Sequence, residues 1–289
     1  MNGGGPPVWC NRWAVNRLAL PLVVLLMAAA AGAQQILNSR IVLATVTDTG
    51  NRPLFDLGPD DFVVDEHGEP RNVLAVNVAD YPIAVLIDTS AQTSELAAIR
   101  AAAVRFIERT GERPIVVASL AAPATLVAPA DSDRATVLAK VEGLTPAQGP
   151  PLPLEAAAMA ARGLQETGAP FSAMVIISAE DANADRSDGK LLTPILDSGA
   201  TIHVVAKRPA GNAPGSSADL LRGLAEQTHG QYTTIYSTVS YSIALDRLAD
   251  RLATEMMIQY MIPAGTKTGG DVRVGVKIPG ARVRGLGLK

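Results

Sequence analysis

Polar and apolar positions fall into three regimes along this chain. In residues 41–78, short apolar stretches at 41–46, 62–64 and 73–76 alternate with turn chemistry, DTGNRP at 48–53 and EHGEP at 66–70. No helical period runs through this zone, so it predicts a β-meander. From residue 81 to about 251 the pattern changes to apolar runs alternating with helix-length amphipathic stretches. The runs at 83–87, 115–120, 173–177, 201–206 and 231–235 predict strands, and the stretches at 94–110, 134–142, 154–167, 189–198, 218–228 and 240–254 predict helices. Strands that are apolar throughout are buried on both faces, and their alternation with helices predicts right-handed crossovers and a parallel sheet. Residues 124–127, between Pro123 and Pro129, predict a short antiparallel edge strand. Ser94 is expected to open the first helix, Asp131 or Ser132 to cap the second, and Gly230 to stop the fifth. The third regime, 256–289, returns to strand periodicity at 258–262 and 271–278. The two β zones are each too short to bury a core alone, so they are expected to pair as one small sandwich beside the α/β domain.

The first 33 residues read as a secretory signal peptide. Arg12 and Arg17 form its basic end, residues 18–31 its apolar core, and Ala31-Gly32-Ala33 an A-x-A cleavage site. Fourteen apolar residues fall short of the ~20 that a spanning helix needs. The expectation is therefore an exported protein, periplasmic or secreted, with no membrane association once the leader is removed. Four segments follow: signal peptide 1–33, N-terminal β segment 34–79, α/β domain 80–254, and C-terminal β segment 255–289 that pairs with 34–79. The single cysteine, Cys10, lies in the leader, so the remainder must be held by its core rather than by disulfides. A net charge of −3 and only 4 % aromatic residues argue against a nucleic-acid partner, which calls for basic patches and stacking platforms.

The most informative stretch is YPIAVLIDTSAQTS at 81–94, an apolar run that ends abruptly in Asp88-Thr89-Ser90. A polar tip there sits at the carboxyl end of a buried strand, where open α/β sheets place their ligand sites. Asp88-Thr89-Ser90-Ala91-Gln92 resembles the Asp-x-Ser-x-Ser metal motif of von Willebrand factor type A domains, with Gln92 at the last serine. Other stretches follow in the family's order. VTD at 46–48 through LGPDDFVV at 57–64 is similar to its leading β segment, MVIIS at 174–178 to its fourth-strand region, LAEQTHGQY at 224–232 to a helix end, and QYMIP at 259–263 to its closing strand. The resemblance covers the chain beyond the leader. It implies a Rossmann-like α/β fold with a central, mostly parallel sheet, flanked by a small β module built from the N- and C-terminal segments.

In that family a divalent cation sits on oxygen ligands from three loops at the sheet's carboxyl edge. By resemblance Asp88 and Ser90 hold ligand positions, and Gln92 offers an amide oxygen on a longer arm. Pro150 stands where the second loop has threonine, and Thr145 comes too early to replace it. The third loop, usually Ser-Asp-Gly, reads Ser178-Ala179-Glu180-Asp181, with Ala179 at the aspartate. Magnesium wants six oxygens and carboxylate charge. Three of the usual positions are changed, so the expectation is no cofactor, with Asp88 kept to accept backbone amides. The alternative is a Mg2+ or Mn2+ site on Asp88, Ser90, Gln92 and Asp181.

No other constellation supplies chemistry. His67 falls in a predicted turn, His203 in a strand and His229 at a helix end, without ligand spacing. There is no G-x-S-x-G elbow and no Gly-rich phosphate loop opening a helix. The reading is therefore a non-enzymatic protein-binding module of adhesion or scaffold type that presents Thr89, Pro150, Ser178, Ala179 and Glu180 to another protein. Alternatives are a working Mg2+- or Mn2+-dependent adhesion module and a hydrolase with a pocket at the same edge.

Overall fold

A computed structural model describes residues 38–179, 189–208, 216–263 and 271–288. Contacts divide the chain in two. Residues 39–261 with 268–289 carry every element below, apart from the terminal strand residues Asn38 and Ile262; residues 1–38 with 262–267 form a second, small unit.

The larger unit is built on a six-stranded sheet in the order β10-β9-β8-β5-β6-β7, comprising β5 (Ile83–Ile87), β6 (Ile115–Ser119), β7 (Thr125–Ala128), β8 (Ala173–Ser178), β9 (Thr201–Lys207) and β10 (Tyr232–Ile235). All pairs are parallel except β6 with β7, which is the antiparallel edge expected from the proline-bounded segment. Ile83, Val85 and Ile87 pack beneath α1 (Thr93–Arg109), α2 (Arg134–Glu142) and α6 (Ser240–Ala253), with Leu96, Ile99, Phe106, Val141 and Leu245 in the same cluster. Ala84 and Leu86 point to the other face, toward α3 (Pro153–Glu166), α4 (Leu192–Asp197) and α5 (Ser216–Gln227). Both faces are covered, which is why these strands read as unbroken apolar runs. Five alanines of α3 are buried and let that helix lie close to the sheet.

Two antiparallel sheets join the flanking segments. One runs β13-β1-β11-β4, with β1 (Asn38–Thr47), β4 (Val73–Val78), β11 (Glu255–Ile262) and β13 (Arg282–Leu288); the other runs β12-β2-β3, with β2 (Phe62–Glu66), β3 (Glu69–Arg71) and β12 (Val272–Val276). In each sheet, strands from residues 38–78 pair with strands from 255–288. Along β1, Leu43 packs into the α/β core, while Val42, Ala44 and Val46 are buried outside it, as are Phe62, Val64, Ile258 and Tyr260. Glu66 of β2 is fully buried between Arg40 of β1, at 2.6 Å, and Arg71 of β3, at 3.5 Å, and so ties the two sheets together.

Several local expectations are corrected. α1 starts at Thr93, one residue before Ser94, with Gln92 as a cap that makes no side-chain bond to the helix. α2 is capped by Asp133, which accepts from Thr136 N at 2.9 Å, rather than by Asp131 or Ser132; Ser132 N is spent on a turn to Pro129 O. α4 is only Leu192–Asp197 of the predicted 189–198. The left-handed residue after α5 is His229, at φ 60°, not Gly230. Gly230 is needed for a different reason: a Cβ there would stand 1.8 Å from Ile202 O. The predicted turn at 66–70 is confined to His67 and Gly68, both at positive φ, and β3 begins at Glu69. β13 was not predicted.

Candidate functional site

The strand order reverses at β5. The chain moves from β5 to β6 and β7 on one side, then returns to β8, β9 and β10 on the other. The crevice at the carboxyl ends of β5 and β8 is therefore the topological switch point of the sheet. Asp88 follows β5 and Ala179 follows β8; the two strand ends are in register, and Asp88 N donates to Ile177 O at 3.0 Å.

Asp88 is 1 % exposed, and its carboxylate is occupied by its own chain. Oδ1 accepts from Ser90 N at 3.0 Å and from Ser90 Oγ at 2.5 Å; Oδ2 accepts from Ala179 N at 3.0 Å, with Ser178 Oγ more distant at 3.5 Å. Thr89, also buried, shares a 2.5 Å hydrogen bond with Ser119 Oγ, and its carbonyl accepts from Ala147 N at 2.8 Å. The second loop is thus anchored to the first through backbone. Pro150 is exposed, and its carbonyl accepts from Ala122 N at 3.0 Å. Gln92 is exposed. Glu180 and Asp181 lie outside the described residues. The structure thus brings Asp88, Thr89, Ser90, Ser178 and Ala179 together. It assigns Gln92 and Pro150 to the exposed rim.

Among the described residues the three loops supply only part of a divalent-cation site, Glu180 and Asp181 lying outside them. The second loop offers no side-chain oxygen at Pro150. At Ala179 a backbone N–H takes an Asp88 oxygen where the family places a carboxylate. What remains among the described residues is the Asp88 carboxylate with the hydroxyls of Ser90 and Ser178 directed at it, short of the six oxygens a hard cation requires. Among the described residues no cluster of three or more His, Cys, Asp or Glu is present.

Beside this crevice lies a network with no counterpart in the sequence reading. Glu95, in the first turn of α1, accepts from Lys207 Nζ at 2.8 and 2.7 Å and from Tyr241 Oη at 3.0 Å; Tyr241 Oη also lies 3.0 Å from Ser178 O. Lys207 ends β9 and Tyr241 opens α6, so one carboxylate joins two helices and two strand ends. The available sequence signal was a lysine closing the apolar run of β9 and, far from it in sequence, a glutamate in the first turn of α1, whose N-terminal dipole favours it. Neither position names its partner. Exposed Tyr236 and Val239 lie between β10 and α6, with Ile243 exposed on α6.

The three histidines are scattered. His67 is in the β2–β3 turn, His229 follows α5, and His203 is buried in β9. Burial, and next the charge of Arg251, push His203 down to about 3. It stays neutral at ordinary pH.

No protein-family model matches the sequence, and a search of curated proteins finds no match. Solved structures do match. A von Willebrand factor type A protein from Catenulispora acidiphila superposes with a TM-score of 0.50 at 14 % identity, over 89 % of this chain and 74 % of that one. The conserved hypothetical protein BatB from Bacteroides thetaiotaomicron gives 0.50 at 14 % identity, over 60 % of this chain and 98 % of its own. Proximal thread matrix protein 1 of the mussel byssus gives 0.50 at 13 % identity, over 61 % of this chain and 48 % of its own. The fold is that of a von Willebrand factor type A domain. At these identities the likeness extends to the fold alone.

Proposed function

We propose that this is an exported, non-enzymatic binding protein that holds another protein at the carboxyl-end loops of its sheet, without a divalent cation. The observation that carries the reading is Asp88, whose buried charge is met by donors of its own chain. A cation bound at Oδ1 would have to displace a bond already made. Among the described residues no acid–base pair is found at Ser90, which supports a binding rather than a catalytic role: its hydroxyl donates to Asp88, and none of the three histidines adjoins it. The exposed apolar side chains Tyr236 and Val239, at the same end of the sheet, and Ile243 supply contact area of the kind that interfaces use. Export rests on the leader pattern of residues 1–33. Among the described residues no helix is long and apolar enough to cross a membrane.

The test is thermal unfolding in EDTA, then in millimolar Mg2+, Mn2+ or Ca2+. No shift is expected. A rise of several degrees that disappears in Asp88→Ala would restore metal-dependent adhesion and overturn the proposal. Partner contact is read with a photo-crosslinker placed at Gln92 or Pro150. Either position is expected to capture a protein that the same group at Arg273, on β12, does not. Export is read by the mature N-terminus, expected at Gln34.

A further inference from the structure

A second site lies away from the crevice. Thr45 faces Arg284 and Thr47 faces Arg282 across the β1–β13 ladder, so these four side chains share one face of the four-stranded sheet. Arg251, in the last turn of α6, and Thr254, just beyond it, complete the wall of a cleft of about 570 Å3. That size falls in the ~300–1,000 Å3 range of small-ligand sites. Among the described residues no aspartate or glutamate lines it. None of the three arginines is paired with a carboxylate among the described residues. Arg251 gives one donor to Gln231 Oε1 at 3.2 Å and keeps the rest of its fork. The acid that feels its charge, Glu255, is buried and hydrogen-bonded by Tyr81.

Three arginines that line one cleft, with no carboxylate partner among the described residues, carry a cost in mutual repulsion that an anion would remove, in a chain of net charge −3. Guanidinium forks match tetrahedral oxyanions two oxygens at a time, and the threonine hydroxyls supply neutral donors beside them. We propose that this cleft binds a multivalent oxyanion of the phosphate class, held by Arg251, Arg282 and Arg284. The site is independent of Asp88 and stands whether or not the crevice binds a protein.

The probe is pyrophosphate, titrated calorimetrically into the purified protein at low ionic strength, with citrate as a carboxylate of similar charge and sodium chloride at matched ionic strength. Saturable pyrophosphate binding is expected, with citrate at least fivefold weaker and no saturation by chloride. Arg282→Gln with Arg284→Gln should weaken it tenfold or more, and Arg251→Gln severalfold. Arg273→Gln, which like Arg251→Gln removes one positive charge but lies elsewhere on the surface, should leave it unchanged. Arg282 and Arg284 are exposed, so the variants are expected to unfold at the parent temperature. Equal loss in Arg273→Gln would show a diffuse charge effect and overturn the site. Undiminished binding in the double variant would overturn it too, and tighter citrate binding would overturn the phosphate assignment.

Discussion

If the Asp88 carboxylate is a structural acceptor, its removal should cost folding stability in the complete absence of metal. Three donors converge on it: the Ser90 hydroxyl and the backbone N–H groups of Ser90 and Ala179. The hydroxyl belongs to a half-buried residue and can turn to water, so its loss counts for little. Ala179 is 3 % exposed, and without Asp88 its N–H has no acceptor among the described residues. A hydrogen bond to a charged acceptor contributes about 1.5–3 kcal/mol, and an orphaned buried N–H costs the full desolvation of that group. Two such bonds, less the relief of removing a buried charge, put Asp88→Ala about 3–5 kcal/mol below the parent. For a domain of this size each kilocalorie lowers Tm by about 2–4 °C, so the midpoint should fall by roughly 10 °C. Asp88→Asn keeps one acceptor but turns an NH2 toward a donor, and should lie between the two. The assay is circular dichroism against temperature and urea, with and without EDTA. A loss below about 1 kcal/mol would refute the structural role. A loss that appears only when Mg2+ is present would do so more pointedly, because a cation at 100 times its Kd adds about 2.7 kcal/mol to the parent.

Glu95→Ala should cost about 2–3 kcal/mol, since Lys207 and Tyr241 lose an acceptor together. A double-mutant cycle with Lys207→Met should return a coupling above 0.5 kcal/mol; additive losses would mean the pair is idle. His203, held near 3 by burial, refuses the proton that the unfolded chain accepts below about 6.5. Stability should therefore fall as pH drops through that window, by up to about 1.4 kcal/mol per unit. His203→Leu should flatten the slope, and an unchanged slope would assign the acid sensitivity elsewhere. Glu255, raised by burial, works in the opposite sense: the folded state takes its proton first, which adds stability as pH falls. Gly230→Ala should fail to accumulate as folded protein, because its methyl would overlap the Ile202 carbonyl, whereas His229→Gly should be neutral or mildly stabilising at its left-handed φ. Wild-type expression of Gly230→Ala would mean that β9 can move aside.

The parts of this fold that could be read in advance are those whose environment is symmetric. β5, β6, β8 and β9 are covered on both faces, so each is built on an apolar run, interrupted internally only at His203, and the strands declare themselves. β13 hides for the converse reason. Its register slips against Leu43 and Ala44, and Gly287 sits where a Cβ would come 3.3 Å from the Phe171 ring. A strand of alternating arginine, glycine and leucine, shaped by one close approach and open to solvent at Arg282 and Arg284, carries no periodic signal. The site divides the same way. Asp88 and Ser90 are local to one loop, and their meeting is written in five residues. Glu95, Lys207 and Tyr241 are 112 and 146 residues apart and meet only through the packing of α1, β9 and α6. Their arrangement bears on what the loops can do. A buried aspartate needs positive charge density from some source, and N–H groups, a hydroxyl and a cation are interchangeable for that purpose. Here Ser90 and Ala179 meet Asp88, and the nearby lysine is spent on Glu95. Among the described residues the charge of Asp88 is thus met from within, and the proposed contact with a partner falls to the exposed rim at Gln92, Pro150 and Tyr236.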